Sequence, residues 1–377
     1  MIFAFIFILI LLIYGGANFY AAKRLFQLIN LRSKRISIMP FASIYAFFAL
    51  SLFMGFMPLP PIVRGILRFI GMHWIGIGMY LVMLFILADT ALFFAKTTRI
   101  INTPVLPRVR LYSGFIVILL TFAIVFYGMH NANHIKNVTY EIQLKNAVLD
   151  DMKIVLISDL HIGEIRSEKN LAKIVENINS LNPDIVCIPG DIFNDSYYAI
   201  RNPERAIALL RSIKSKHGVY ASLGNHDGGP TFHKMIDFLE KSNITLLNDE
   251  YRIIDGRLAL FGRLDHRPIG GFGPLKRQDI TETIISVSAN FPVVVMDHNP
   301  INIREYDKEA DLILSGHTHR GQVFPGSLIT RAINVVDYGH YQKDANSPHV
   351  IVTSGVNTWG PPMRVGTNNE VVSILLR

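Results

Sequence analysis

The chain of 377 residues contains a single cysteine, Cys187, and only 18% charged residues. One cysteine can form neither an internal disulfide nor a zinc site built from several thiolates. Soluble domains carry about a quarter charged residues, so this shortage of charge indicates segments that face lipid. Half of the residues are hydrophobic, which excludes an intrinsically disordered chain.

The positive charge of the chain is confined to its first third. The formal net charge is +8, and residues 1–130 hold 11 basic residues against one acid, Asp89. The totals of 37 basic and 29 acidic residues leave 26 and 28 for residues 131–377. The basic surface that a nucleic-acid-binding domain needs is therefore missing, and we expect no nucleic-acid partner. The sequence predicts two regions of different character.

Residues 1–130 are predicted to form a transmembrane region of four helices. Four apolar stretches have about the length that spans a hydrocarbon core. The predicted spans cover residues 2–20, 40–63, 73–94 and 111–127. The second is expected to end at the prolines Pro58, Pro60 and Pro61. No basic residue precedes the first apolar run, so an uncleaved span is favoured over a signal peptide.

Basic residues in the short loops predict the orientation of these spans. The loops after spans one and three hold five and four basic residues, whereas the loop between spans two and three holds only Arg64 and Arg68. Basic loops stay in the cytoplasm, so everything after span four is predicted to be extracytoplasmic. The chain is thus expected to be a multi-pass protein of the cytoplasmic membrane.

One ionisable residue, Asp89, lies inside the predicted third span. An ionisable group in lipid is costly unless it faces other helices. We expect a carboxyl group that is hydrogen-bonded within the bundle, with a proton relay or ion site as the alternative. A transporter is disfavoured because this carboxyl has no predicted basic partner in the other spans.

Residues 145–377 are predicted to form an α/β domain, because short apolar runs alternate with amphipathic stretches. The predicted strands cover residues 153–158, 184–188, 218–223, 293–296, 310–315 and 349–353, and the predicted helices cover residues 167–180, 203–212 and 230–241. A sheet buried on both faces explains the continuous apolar strands. Cys187 lies within such a strand and is expected to be buried.

Five polar motifs directly follow predicted strands. They are Asp159-Leu160-His161, Gly190-Asp191, Gly224-Asn225-His226-Asp227, Asp297-His298-Asn299-Pro300 and Gly316-His317-Thr318-His319. Ligands of α/β sheets bind beyond the carboxyl ends of the strands, so these motifs are expected to converge. Carboxylates, imidazoles and amide oxygens are ligands for divalent cations. The motifs together therefore predict a metal site.

Local spacing supports convergence of these motifs. The pairs Asp159/His161 and His317/His319 are two residues apart, which in extended backbone puts both side chains on one side. Glycines before Asp191, Asn225 and His317 are expected to allow tight turns and close backbone approach.

The order of these motifs resembles the calcineurin-like metallophosphoesterases over about residues 150–377. Residues 315–324 and 357–366 are similar to the YkuE/YaeI-type bacterial branch, which has membrane-anchored members. The resemblance implies two β-sheets sandwiched between helices and a centre of two divalent ions, with Mn, Fe and Zn as candidates. It implies that one ion is bound by Asp159, His161 and His319, that the other is bound by Asn225, His298 and His317, that Asp191 bridges them, and that His226 is the catalytic histidine.

The chain also departs from the family pattern. The acid that often follows the bridging aspartate by three positions is Asn194 here, with Asp195 next, so neither is expected to support the site. We expect Asp227 or a backbone group to orient His226. Arg320 stands where the branch usually has glycine and is a candidate substrate contact, with an ordinary loop arginine as the alternative.

Four further residues have expected positions near the site or on the surface. Arg364 is a weaker candidate for contact with substrate, and Trp359 is expected to shape a turn over the site. Two histidines, His266 and His340, are expected to be ordinary surface residues.

The predicted reaction is hydrolysis of a phosphoester by a hydroxide that bridges the two metal ions, with His226 protonating the leaving oxygen. A phosphoenzyme is not required. Closeness to the bilayer favours a lipid-linked or cell-envelope phosphate over another phosphorylated small molecule. The alternatives are a phosphoprotein phosphatase and a non-catalytic membrane protein that senses a ligand. The sequence does not distinguish among monoesters, diesters and pyrophosphates as the bond that is cleaved.

Overall fold

The computed structural model describes residues 2–32, 36–100, 106–144, 151–163, 168–306 and 309–377. The chain divides into two compact units. The first, here the helical unit, comprises Met1–Met129 with Gly360–Pro362. The second, here the α/β unit, comprises His130–Trp359 with Met363–Arg377.

The N-terminal region consists of long apolar helices, as the sequence predicts. They are α1 (Ile2–Arg32), α2 (Ile38–Met54), α3 (Pro61–Thr97) and α4 (Pro107–Asn131). Among the described residues, three stretches are long and apolar enough to cross a membrane, namely Ile8–Arg32, Ile62–Thr97 and Pro107–Asn131. Helix α2 has 17 residues, which is at the lower limit for a span.

The second and third helices have different bounds from the predicted spans. Helix α2 ends at Met54 and α3 begins at Pro61, not at residue 73. Proline fits the first position of a helix, where its missing N–H has no intrahelical role. The proline run therefore starts α3 instead of ending a span. Arg64 and Arg68, which were predicted to lie in a loop, are helical residues of α3.

Asp89 has a basic partner, contrary to the prediction. Helix α1 continues to Arg32, well past its predicted end at residue 20, so Arg24 lies inside it. Arg24 forms an ion pair with Asp89 Oδ1, and the Tyr20 hydroxyl donates to Asp89 Oδ2 at 2.6 Å. Arg24 lies beyond the apolar run, so the sequence places it in a loop and not among the possible partners of Asp89. The pair fits the rule that ionisable groups in spans face other helices.

The α/β unit contains two six-stranded mixed sheets. The first has the strand order β1 (Ile135–Ile142), β12 (Asn369–Leu376), β2 (Met152–Leu156), β3 (Ile185–Pro189), β4 (Val219–Ser222) and β5 (Thr245–Leu246). The second has the order β10 (Gly339–Tyr341), β11 (His349–Val352), β9 (Leu312–Ser315), β8 (Val293–Met296), β7 (Leu258–Gly262) and β6 (Glu250–Ile254). The helices of the unit are α5 (Glu168–Ser180), α6 (Pro203–Arg211), α7 (Phe232–Lys241), α8 (Thr281–Ser288) and α9 (Gly326–Ile333).

Alternate residues of each central strand belong to different cores, which creates four layers. In β3, Ile185 and Cys187 pack with side chains of the other sheet, whereas Val186 and Ile188 face α5, α6 and α7. On the second sheet, Val293 and Val295 of β8 face α8. This alternation follows from the two-residue period of strands. The predicted pair of sheets between helices is confirmed, as is the burial of Cys187.

Candidate metal centre

Loops from both sheets carry the candidate ligands. Strands β2, β3 and β4 are parallel neighbours, and so are β8 and β9. The candidates Asp159, Asp191, Asn225, His298 and His317 each follow the end of one of these five strands by two or three residues. Parallel strands end at the same edge of a sheet, so these loops collect at one edge of each.

The expected extended backbone at the paired motifs is wrong. Asp159, His161, His317 and His319 have φ angles of 58°, 40°, 70° and 47°. These values lie in the left-handed region, which residues other than glycine rarely adopt. Such strained residues concentrate at functional sites, where the surrounding structure holds them in place. The loops thus turn sharply after each strand. Asp159 and His161 still reach the same group of candidate ligands, whereas His317 and His319 reach different groups.

Glycine is required where backbone meets these ligands, as the sequence predicts. A Cβ atom on Gly316 would lie 2.1 Å from Ser158 Oγ and 2.5 Å from Asp159 Oδ2. A Cβ atom on Gly224 would lie 2.3 Å from Asp191 Oδ1. Real Cβ atoms do not approach so closely, so any side chain at either position would displace a candidate ligand.

One candidate metal-binding group consists of Asp159, His161 and His319. His161 Nε2 lies 3.1 Å from His319 Nε2 and 3.9 Å from Asp159 Oδ1. His319 Nε2 lies 3.4 Å from Asp159 Oδ1. All three residues are buried. Three potential ligand atoms therefore face one another in a small space.

The second group consists of Asp191, His298 and His317, with Asn225 beside them. His298 Nε2 lies 3.1 Å from Asp191 Oδ2 and 3.2 Å from His317 Nδ1. The amide oxygen of Asn225 lies 2.9 Å from His317 Nδ1. The group thus offers two imidazoles, a carboxylate and an amide oxygen.

A single carboxylate oxygen faces both groups. Asp191 Oδ2 lies 3.7 Å from His161 Nε2 in the first group and 3.1 Å from His298 Nε2 in the second. The other oxygen, Oδ1, accepts a hydrogen bond from the backbone N–H of His226 at 2.9 Å. This bond fixes the carboxylate in an orientation in which one oxygen can be shared.

The donor atoms of the second group fit a bound cation. His298 Nδ1 lies 2.8 Å from the carbonyl oxygen of Pro189, so this nitrogen carries the proton and donates it. The Nε2 atom of a neutral His298 is then an acceptor, and it faces the carboxylate of Asp191. Two acceptors at 3.1 Å repel each other unless a proton or a cation lies between them. Metal-bound histidines commonly have this arrangement, with the second nitrogen held by a carbonyl.

Burial shapes the protonation of these groups. It lowers the pKa of His161 to about 3 and that of His317 to about 4, so both imidazoles are neutral near pH 7. Burial also raises the pKa of Asp159 to about 6. For Asp191, burial acts in the same direction, but the neighbouring His298 outweighs it and lowers the pKa well below its usual range. Neutral imidazoles and ionised carboxylates are the forms that bind metals.

Asp195 orients His226, contrary to both expectations from the sequence. His226 Nδ1 lies 2.6 Å from Asp195 Oδ1. Asp227 instead accepts hydrogen bonds from the backbone N–H groups of Phe193 and Gly224, at 2.9 and 2.8 Å. The expected acid is displaced by one residue, to the fourth position after Asp191. The presence of Asp195 one position after the expected acid could have been noticed in the sequence. Only the geometry of the turn shows that its carboxylate reaches His226.

The His226 imidazole is poised to carry a proton. Burial opposes its charged form, but the hydrogen bond to Asp195 and the nearby carboxylates outweigh burial and raise the pKa of His226. Its ring centroid lies 5.1 Å from that of His161 and 5.6 Å from that of Trp359. A histidine that can be protonated therefore adjoins the first group.

Arg364 is not available as a substrate contact. Its side chain is fully buried and donates to the carbonyl oxygens of Ser354 at 2.6 Å and of His319 at 3.1 Å. It also donates to Asn369 Oδ1 at 2.7 Å. The guanidinium therefore braces the loop that carries His319, which its position in the sequence did not reveal.

The remaining candidates lie outside the two groups. The Arg320 guanidinium stacks on the Tyr338 ring, 4.2 Å from its centroid. His266 lies 2.7 Å from Glu305, and His340 lies 2.9 Å from His349. The Trp359 backbone forms two hydrogen bonds of 2.8 Å with the side chain of Gln322. These contacts agree with the expected surface histidines and the expected turn at Trp359.

Known proteins share these features. A family described as "Calcineurin-like phosphoesterase" matches residues 152–321. An uncharacterized metallophosphoesterase of Campylobacter jejuni is 28% identical over 100% of this chain and 99% of its own length. One of Aquifex aeolicus is 30% identical over 60% of this chain and 85% of its own length. A zebrafish protein named "Transmembrane protein with metallophosphoesterase domain" is 27% identical over 70% of this chain and 62% of its own.

The extent of these matches varies. The chain spans only 60 to 64% of the length of several other curated relatives, from Caenorhabditis elegans and Helicobacter pylori. Together with the apolar helices, the transmembrane relatives suggest membrane association.

Proposed function

The chain belongs to the calcineurin-like phosphoesterase family, and we propose that it is a membrane-anchored phosphohydrolase that uses two divalent metal ions. One observation carries this proposal. Asp191 Oδ2 faces an imidazole nitrogen of each group, at 3.7 and 3.1 Å. A carboxylate shared between two sets of imidazoles is what a pair of adjacent cations requires.

We assign each of the two groups of candidate ligands to one metal ion. Asp159, His161 and His319 would hold one ion. Asn225, His298 and His317 would hold the other, and Asp191 would bind both. Imidazole, carboxylate and amide oxygen are ligands that Mn, Fe and Zn accept. When bound, such a pair of cations activates water as a nucleophile and neutralises charge on the phosphate oxygens.

His226 supplies the proton that the leaving oxygen needs. Asp195 holds its Nδ1, so Nε2 is the nitrogen left for substrate. A protonated imidazole in this position donates to the leaving oxygen as the bond to phosphorus breaks. Cys187 is buried in β3 and takes no part in the reaction. Arg320, at the edge of the first group's loop, is the candidate contact for a non-reacting phosphate oxygen.

The substrate that we propose is a phosphate carried by a membrane lipid or an envelope intermediate on the extracytoplasmic side. Basic residues concentrate towards the end of α1 and around the connection of α3 to α4, which favours a cytoplasmic location for both. The α/β unit follows α4 and would then lie across the membrane from them. A reporter that is active only in the cytoplasm, fused after Arg377, should remain inactive.

Metal analysis combined with a substrate panel tests this function. The full-length protein in detergent should contain two divalent ions per chain and should release phosphate from at least one lipid phosphate, nucleotide or phosphopeptide. The Asp191→Ala variant should lose both metal and activity. Two bound metals without hydrolysis of any panel member would contradict the proposed enzyme and favour a ligand sensor.

A further inference from the structure

Helix α9 exposes large apolar side chains on the α/β unit. Leu328, Ile329 and Ile333 of α9 are 56%, 63% and 69% exposed, and Val335, two residues after the helix, is 50% exposed. We call these four residues the α9 surface. Helix α9, all of whose residues are described, buries none of them. A helix of a globular domain normally packs its apolar stripe on the core, so this surface faces outward without serving the fold.

The single charged residue in the sequence of α9 is a cation. Arg331 is the sole charged residue of the sequence between Val323 and Val336, and it is exposed. An apolar helical face beside a cation is typical of segments that lie in the interface of an anionic membrane. Apolar side chains enter the acyl boundary there, while the basic residue meets lipid phosphates.

Helix α9 is fixed to the loop of the metal centre at both ends. A Cβ atom on Gly321 would lie 2.1 Å from the carbonyl carbon of Gly326, so the two backbones are in contact. Thr318 Oγ1 donates to the Asp337 carbonyl oxygen at 2.6 Å, and Thr330 Oγ1 donates to Asp337 Oδ2 at 2.8 Å. Residues 318–321, which follow His317 and include His319, are therefore in direct contact with α9 and with the residues that follow it.

An exposed aromatic ring extends from this loop to His226. The Gln322 side chain holds the Trp359 backbone through two hydrogen bonds of 2.8 Å. Trp359 is 50% exposed, and its ring centroid lies 5.6 Å from that of His226. Tryptophan is enriched at the headgroup level of membranes. A series of contacts therefore connects the loop beside α9, through Gln322 and Trp359, to His226.

We propose that the α9 surface binds the lipid bilayer and places the opening of the metal centre among the lipid headgroups. The bilayer is the expected occupant because the same chain carries helices long and apolar enough to cross a membrane, which keep the α/β unit tethered to it. The inference rests on the proposed function in one respect, namely that the metal centre acts on lipid phosphates. Contact between α9 and lipid can be measured without turnover.

Quenching by spin-labelled lipids tests the contact directly. The full-length Ile329→Cys variant would be labelled with an environment-sensitive fluorophore in nanodiscs of phosphatidylcholine and phosphatidylglycerol. The native Cys187 is buried and should remain unlabelled. The matched control is Ile285→Cys on α8, because Ile285 is an isoleucine of the same unit that is 50% exposed, against 63% for Ile329. We expect doxyl lipids to reduce emission about twofold or more at position 329 and hardly at position 285.

Three outcomes decide the proposal. Quenching at position 329 alone supports it. Equal quenching at both positions, or none at position 329, overturns it. A blue-shifted label at position 329 that lipids do not quench would assign the surface to a protein partner or a second copy of the chain, and would also overturn it.

A charge variant adds an independent readout. Arg331→Glu in the Ile329→Cys background should weaken quenching in discs that contain phosphatidylglycerol, and should matter less in discs of phosphatidylcholine alone. An unchanged signal in both would contradict a role for anionic headgroups. Failure of every hydrolysis assay would refute the proposed function while leaving the quenching result intact.

Discussion

The helical unit and the α/β unit both contain a cluster of ionisable side chains, but the two clusters are built in opposite ways. In the helical unit, both oxygens of Asp89 receive donors, one from Arg24 and one from Tyr20. In the α/β unit, imidazole nitrogens face one another and a carboxylate, as between His161 and His319 at 3.1 Å. The first arrangement satisfies itself, whereas the second offers ligand atoms to the cations that we propose.

This difference separates structural charges from functional ones. A buried polar group is stable when its partner supplies the complementary atom. Clusters of buried titratable groups with shifted pKa values concentrate at functional sites, which supports the proposed metal centre. We therefore expect substitutions in the α/β site to change chemistry and metal content, and substitutions in the Asp89 cluster to change stability alone.

The largest effect is expected for His226→Asn. Loss of a general acid lowers kcat by about 10²–10⁴-fold. Because His226 is assigned to proton transfer and not to metal binding, the metal content should stay near that of the unsubstituted protein. Steady-state kinetics and elemental analysis of one preparation check both statements. Metal loss as large as that of Asp191→Ala would contradict the division of roles.

A smaller effect is expected for Asp195→Asn. The amide keeps the shape of the side chain but loses the charge that holds His226 Nδ1, and such outer partners are worth about 10–100-fold in activity. The matched control is Asp227→Asn, which changes an acid that is held by backbone N–H groups away from the His226 ring. If Asp227→Asn lowers kcat with full metal content while Asp195→Asn does not, the assignment of the orienting acid is wrong.

Asp89→Asn should affect the helical unit alone. Removing the charge leaves Arg24 without its ion pair, and polar contacts between membrane helices are worth about 1 kcal/mol. We expect the thermal midpoint in detergent to fall by a few degrees, with kcat on a soluble phosphoester changed less than about twofold. A large loss of kcat at unchanged stability would show that Asp89 participates in catalysis.

The smallest effect is expected at Cys187. Burial raises the pKa of its thiol, so the reactive thiolate is suppressed even at pH 8. Iodoacetamide should leave the folded protein unlabelled and active, and should label it fully in denaturant. Mass spectrometry provides the readout. Rapid labelling of the native protein would show that the layer between the sheets is open to solvent.

The sequence predicted those parts of the fold that depend on local periodicity. The strands around Val155, Val186 and Val295 are continuous apolar runs, and all were predicted. The long strand β12 was missed, although it joins β1 to β2 in the first sheet. Its pairing with residues more than 200 positions earlier leaves no local signal.

The site was predicted in composition but not in its contacts. The ligand candidates stand out because each motif follows a predicted strand. The partner of His226 was missed because it depends on how the turn after Asp191, with φ of 53°, directs Asp195. Arg364 was misjudged because burial is a tertiary property. The pairing of Arg24 with Asp89 was missed because α1 extends beyond its apolar run.

Metal content of the purified full-length protein tests the central claim most directly. Elemental analysis should find two divalent ions per chain, none or one in Asp191→Ala, and two in Asp89→Asn. Removal by a chelator should abolish phosphoester hydrolysis, and restoring Mn, Fe or Zn should recover it. A protein that hydrolyses phosphoesters at full rate without bound metal, or that keeps two ions without Asp191, would contradict the account.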